Sequence, residues 1–177
     1  MGARKRQQEF QGRGFKKPKD SFGGSLLKGN PKTKRPLDSK LPVLLTLRAN
    51  KSVLRTLKTI ESVNKIAGDT AKKHGVKIYE YANVGNHIHM LIKLPRIGAW
   101  AAFIRELTGR IAQVVGERLG LEGSFWKFRP HTRIIQGWKR AYKVAKDYVH
   151  LNWLEGEGFI HRSQIRNLAD LRALFSD

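Results

Sequence analysis

The sequence predicts an α+β fold in which helices are laid against an antiparallel sheet. Three observations carry that prediction. Apolar residues alternate with a period of two around residues 43–48, 76–84 and 87–94. Longer segments between and after them repeat at helical spacing. The order is strand, helix, strand, strand, helix, strand, helix, and its two adjacent strands meet at Gly85-Asn86. Such a split arrangement is an antiparallel plan, not a run of parallel βαβ units.

The first element is a basic stretch. Residues 1–40 hold twelve Lys or Arg, three acids and six Gly, with almost no apolar periodicity. That composition buries too little apolar surface to offset the entropy of ordering. Residues 1–38 are therefore expected to be a disordered basic tail, and 39–177 one domain. A tail that only aids solubility is the plainer reading of the same residues.

LPVLLTLRAN, residues 41–50, sets Val43, Leu45 and Leu47 against Leu44, Thr46 and Arg48, as a half-buried strand does. Ser52 is expected to cap a helix reaching about His74, with Val53, Leu54, Leu57, Ile60, Val63 and Ile66 on its stripe and Gly75 as its stop. VKIYEYANV, 76–84, reads as a strand, and HIHMLIKL, 87–94, as its hairpin partner. Beyond Pro95, Trp100, Phe103, Ile104, Leu107, Ile111 and Val114 mark a helix from about Ala99 to Leu119. FWKF and HTRII, 125–128 and 131–135, read as a strand interrupted at Pro130. A third helix runs from Trp138 to about Glu155, and a short last one from Gln164 to Phe175. No internal repeat is present.

Composition narrows the function. No run of about 18 apolar residues exists, so no membrane span is expected. The start, MGARKRQQEF, lacks the apolar core of a secretory signal, and a cytoplasmic location is expected. With no cysteine, disulfides, thiolate metal sites and cysteine nucleophiles are excluded, and any metal must be held by nitrogen and oxygen. The 35 Lys and Arg against 14 Asp and Glu give a net charge of +21, which draws polyanions. Nucleic acid is favoured over an anionic membrane surface, because no long basic amphipathic helix with a clean apolar face is evident. Outside residues 1–40, 23 basic residues still face 11 acidic ones, so the domain itself carries about +12.

Within that basic domain, VGNHIHMLIKLP, 84–95, stands out. On a strand His87, His89, Leu91 and Lys93 share one face, and the apolar Ile88, Met90, Ile92 and Leu94 the other. Two imidazoles on one rigid face are a preformed pair of metal ligands, or two structural histidines; both readings are open. A third ligand would have to come from elsewhere. KDYVHLNW supplies a candidate, placing Tyr148 and Asn152 four residues apart on one helical face. An amide oxygen suits Mg²⁺ or Mn²⁺, and a phenol beside it can serve as nucleophile toward a metal-polarised phosphate. The plainer alternative buries Tyr148 in the core and leaves Asn152 in solvent.

With these residues the chain resembles the single-tyrosine HUH transposases, and within them the REP-associated tyrosine transposases. His87-Ile88-His89 fits the histidine-hydrophobe-histidine motif, and Tyr148 and Asn152 in YVHLN fit the tyrosine-helix motif. The resemblance spans roughly residues 36–162 and implies a ferredoxin-like antiparallel sheet, with the late helix carrying the nucleophilic tyrosine. It implies that His87, His89 and Asn152 hold Mg²⁺ or Mn²⁺ and that Tyr148 attacks single-stranded or hairpin DNA. The products would be a 5′-phosphotyrosine link and a free 3′-hydroxyl, a bond exchange that can be reversed onto another strand. Where that family usually places proline after the asparagine, this chain has Trp153, which lets the helix run on. Tyr142 lies about 120° around the helix from Tyr148 and should not share the site. The family includes sites built from one subunit and from two, so monomer and homodimer both stay open.

Rival readings find less support. A two-histidine phosphoesterase needs two HxT or HxS motifs, and only His161-Arg162-Ser163 matches. No compact acidic cluster suggests a carboxylate nuclease, although Asp147 adjoins Tyr148. The rival of a different class is a catalytically idle relative that keeps the fold and binds single-stranded nucleic acid. For DNA contact the candidates are Arg48, Lys127, Arg129, Arg133, Lys139 and Arg140. Most are interleaved with Trp126 and Trp138, either as stacking platforms or as core residues beneath a solvated basic face. His131 is read as a structural or phosphate contact.

Overall fold

The computed structural model describes residues 20–26, 34–136 and 139–161. Its elements are β1 (Ser21–Phe22), a single 3-10 turn (Gly24–Leu26), β2 (Val43–Arg48), α1 (Ile60–Lys73), β3 (Lys77–Asn83), β4 (His87–Lys93), α2 (Ala99–Leu119), β5 (His131–Ile134) and α3 (Arg140–Glu157). The strands form one sheet in the order β1-β5-β2-β4-β3, antiparallel throughout. Its inner part, β5-β2-β4-β3 with α1 and α2 as the crossovers, is the expected ferredoxin-like plan. β1 extends it at one edge.

Alternation along the strands sorts the helices between two faces. Ile88, Met90, Ile92 and Leu94 point the same way as Val43, Leu45 and Leu47, into a core shared with Val63 and Ile66 of α1 and Phe103, Leu107 and Ile111 of α2. Ala82 and Leu91 point the other way and meet Ala145 and Val149 of α3. Among the described residues α3 is the helix on the second face, packed mainly on β3 and β4. Among the described residues, no helix is long and apolar enough to cross a membrane.

Three boundaries differ from the sequence expectation. The helix expected from Ser52 starts at Ile60. Buried Thr59 winds the preceding residues into turns, its hydroxyl accepting from the Thr56 N–H at 3.1 Å and donating to the Val53 carbonyl at 2.7 Å. Leu54 is buried in the core while Leu57 is fully exposed, so their helical spacing misled. The third helix starts at Arg140 and runs on to Glu157, past Trp153, ending at Gly158 with φ 81°. Part of the expected tail also belongs to the domain. Ser21 and Phe22 pair with Arg133 and Thr132. Arg35 donates to the Phe22 carbonyl at 3.2 Å and to Thr132 Oγ1 at 2.7 Å, and lies over the Phe22 and Trp100 rings. Burial, with nearby Arg129, brings the Arg35 guanidinium down to about 10. Residues 1–19 and 27–33 of the expected tail, Trp138, Arg162 and Ser163, and the expected helix 164–175 lie outside the described residues.

Candidate active site

Every component of the candidate site stands on the α3 face of the sheet. His87 opens β4 and His89 follows on the same side, their ring centroids 4.6 Å apart and the rings nearly perpendicular. His89 is buried at 4% exposure, and His87 is half-buried. Strand pairing places Thr46 opposite His89 and Arg48 opposite His87. The Thr46 hydroxyl lies 3.0 Å from His89 Nδ1, and the Asn86 amide oxygen meets His87 Nδ1. An amide oxygen only accepts, so this contact puts the His87 proton on Nδ1 and its lone pair on Nε2. His89 takes the same tautomer if it donates to Thr46, a hydroxyl able to accept. Outer-shell partners of this kind orient imidazoles that ligate metals.

α3 brings the tyrosine and the amide to this pair. Tyr148 Oη is 3.5 Å from His89 Nε2, with ring centroids 5.1 Å apart. Asn152, one turn on, is buried, and its Nδ2 donates to the Tyr148 carbonyl at 2.6 Å. That bond occupies the donor side of the amide; its oxygen is the atom with ligand capacity. The plainer alternative for these residues, with Asn152 in solvent, is not what the structure has.

Contacts at both ends of α3 fix its position. Near its start Tyr142 meets Tyr79 edge-on at 5.6 Å, away from the histidines, and Lys146 pairs with Glu80 at 3.1 Å. The Glu80 carboxylate holds the Lys146 ammonium above its usual range. Near its end Gly156 sits so close to β3 that a Cβ there would lie 2.8 Å from the Asn83 carbonyl oxygen. Arg55 joins the two elements, pairing with Glu157 and donating to the Asn83 carbonyl at 3.3 Å. The Asn83 side chain, donating to Leu54 O and accepting from Gly85 N, holds the turn that leads into His87.

The donor chemistry fits a divalent ion. Two imidazoles and an amide oxygen suit Mn²⁺ or Mg²⁺, with remaining positions open to water and phosphate. Among the described residues no three His, Cys, Asp or Glu side chains cluster for a metal, so a third protein ligand would have to be an amide such as Asn152. Asp147 instead pairs with Lys143 at 2.9 Å.

The basic residues divide by position. Arg48 is at the site, opposite His87. Arg133 is further along the same face, opposite Leu44 and Ser21. Lys139 and Arg140, both exposed, sit at the start of α3, well removed from Tyr148. Lys127 and Arg129 are exposed on the segment before β5, and the Lys127 N–H donates to the Arg48 carbonyl at 2.8 Å. Trp126 is no open platform: its indole N–H donates to the Thr108 carbonyl at 3.0 Å and its ring packs on the core. His131 lies opposite Thr46, in the same cross-strand row as His89. Sequence reasoning passed over Thr46 and Asn86, although Asn86 stands directly before the histidine motif.

A family model described as Transposase IS200 like matches residues 38–152. Among solved structures, the chain is similar to the REP-associated tyrosine transposase bound to a REP hairpin. That match has a TM-score of 0.59 and 16% identity over 74% of this chain and 76% of the other. It is also similar to a candidate transposase from Deinococcus radiodurans, with a TM-score of 0.44 and 13% identity over 71% of this chain and 98% of the other. No curated protein matches the chain.

Proposed function

The chain belongs to the IS200-like transposase family, and on that premise we propose that it cuts and rejoins single-stranded or hairpin DNA with Tyr148 as nucleophile. Transposition of DNA goes with the family; the chemistry below is our reading of this site. The observation that carries it is the meeting of Tyr148 Oη with His89 Nε2 at 3.5 Å, with the His87 ring edge-on to that of His89. In this reading His87, His89 and Asn152 hold Mg²⁺ or Mn²⁺, which when bound supplies Lewis acidity toward a phosphate oxygen.

The chain's own residues account for the rest. Tyr148 Oη attacks phosphorus, a new P–O bond forms to the 5′-phosphate, and the bond to the 3′-oxygen breaks with its electron pair leaving on that oxygen. The phenol proton passes to solvent and the departing 3′-oxygen takes one from solvent, as the His89 Nε2 lone pair would be the one that holds the ion. Thr46 and Asn86 orient the two imidazoles, and Arg48 is placed to contact a phosphate beside His87. Because one ester bond replaces another, a second 3′-hydroxyl can reverse the step. In this reading Tyr148 and the histidines of one chain serve the same site, and a homodimer with two such sites is equally compatible with the chemistry. The hairpin in the REP-associated relative's complex makes hairpin DNA the first substrate to try.

The test mixes the protein with labelled single-stranded DNA from the flanks of its own gene, with Mn²⁺ or Mg²⁺. The expected result is a denaturant-resistant protein-DNA adduct, absent with Tyr148→Phe and with chelator. Binding without adduct across a broad set of hairpins would instead make the protein an idle DNA-binding relative.

A further inference from the structure

We propose that the segment between Trp126 and His131 forms a pocket for one unpaired base of the DNA strand held at Tyr148, an inference resting on the function proposed above. Thr46 pairs with His131, while Ala49 bridges Trp126. Three steps along one strand, 46 to 49, therefore face five along the other, 126 to 131, and two extra residues must loop out. Pro130, with no N–H to give the ladder, lies in that stretch. The bulge opens a cavity of about 350 Å³ with Leu47 as its floor, Trp126 and Phe128 on its walls, and Lys127 and Arg129 at its rim. Ligand clefts run from roughly 300 to 1,000 Å³.

Both sides of the bulge are held. On one side the Lys127 N–H donates to Arg48 O at 2.8 Å; on the other the Gly24 N–H donates to Arg129 O at 3.0 Å. Gly23, at φ 93°, closes so tightly that a Cβ would lie 2.0 Å from the Pro130 oxygen. Trp126 is fixed through its bond to Thr108. The pocket is thus preorganised, which lowers the entropy lost on binding.

Its chemistry selects a nucleotide. The Phe128 ring offers a stacking face to a base, with Trp126 fixed in the core behind it, and a cationic rim suits the attached phosphate. Lys127 Nζ already lies 5.6 Å from the Phe128 ring centroid. Position supplies the link to the reaction: Lys127 is bonded to the backbone of Arg48, which stands across from His87. Leu47 points to the opposite face from Arg48, so a strand leaving Tyr148 would turn around the end of β2 and place a base a few nucleotides away. A paired base would first have to unstack, so the pocket selects unpaired or looped DNA.

The experiment removes bases one at a time. Tyr148→Phe protein in chelator, where no cleavage intervenes, is titrated with the gene-flank single strand carrying an abasic site at each position in turn. One position should weaken binding roughly tenfold, the size of a lost stacking contact. Phe128→Ala, or the bulkier Phe128→Leu, should weaken the intact strand similarly and be indifferent to that one abasic site. Equal sensitivity of the wild-type and Phe128-substituted proteins at every position would overturn the pocket, and tighter position-dependent binding of the matching RNA would overturn its assignment to DNA. An adduct without base coupling sinks the pocket alone; base coupling without an adduct sinks the tyrosine chemistry alone.

Discussion

On β4, neighbours one residue apart have opposite surroundings. Ile88 and Met90 are fully buried against α1 and α2, whereas His87 and His89 face α3 and its tyrosine. The first face is closed by apolar contact; the second joins an apolar cluster of Ala82, Leu91, Ala145 and Val149 to hydrogen bonds and ring edges around the histidines. Alternation lets one strand serve both, since a side chain's face is set by whether its position is odd or even. Over residues 87–90 stability and chemistry should therefore separate by residue parity, before Leu91 returns the α3 face to apolar packing.

The largest expected effect tests that separation directly. Ile88→Ala or Met90→Ala should cost about 2–5 kcal/mol of unfolding free energy from lost transfer and a residual cavity. Adduct formation per folded molecule should stay close to wild type. His87→Ala should do the reverse, removing a ligand and lowering adduct formation by about 100-fold or more, given that outer-shell losses alone cost 10–100-fold. Thermal melts and single-turnover adduct assays on the four variants, His89→Ala included, decide it. His89 is the position expected to cross the divide, because it is buried and bonded to Thr46 as well as placed beside Tyr148. If His87→Ala destabilised as much as Met90→Ala while leaving adduct formation intact, the faces would not divide in this way.

A smaller effect comes from glycines in helices on the two faces. Gly68 of α1 and Gly109 of α2 have nothing within 4 Å of a built Cβ. Alanine at either should stabilise by up to about 1 kcal/mol through helix propensity. Gly156 of α3 has the Asn83 carbonyl 2.8 Å from that position. Gly156→Ala should forfeit the propensity gain and lift the last turn, lowering adduct formation several-fold with DNA binding little changed. Melting curves distinguish the pairs, and a stabilising Gly156→Ala with full activity would show that α3 need not sit this close.

The same contrast shows what could be read in advance. Strand alternation, the α2 stripe and the two motifs 61 residues apart in sequence, His87 to Tyr148, are local patterns, and the structure has each element in place. Patterns did not show where apolar spacing is coincidental: Leu54 and Leu57 match a helix, yet tertiary contacts and the Thr59 hydroxyl hold the segment as turns. β1 was invisible because two residues have no period, and its anchor Arg35 is distant in sequence. Trp126 was ambiguous for a related reason, as a basic-aromatic alternation looks alike whether its ring faces solvent or core. The bulge at Lys127–Pro130 appears only when the pairing of both neighbours is known.

The smallest effect lies on the α1–α2 side and concerns charge. Glu106 of α2 meets Lys73 at the end of α1 at 2.9 Å, His74 just beyond it at 2.9 Å, and Arg110 at 3.6 Å one turn along its own helix. Hydrogen bonds from Lys73 and His74 hold its carboxyl below the ordinary value of 4.5. A carboxylate with a depressed folded pKa contributes stability above its unfolded pKa and loses it as pH falls through the folded one. Glu106→Gln should therefore lower the thermal midpoint slightly at neutral pH, and the difference should fade as the pH is taken well below 4.5. Because Lys73 and Arg110 reach well into solvent, added salt should shrink the same difference. Adduct formation should not respond, since the α1–α2 contact is separated from Tyr148 by the sheet; a matching loss of activity would mean that the two faces are coupled through it.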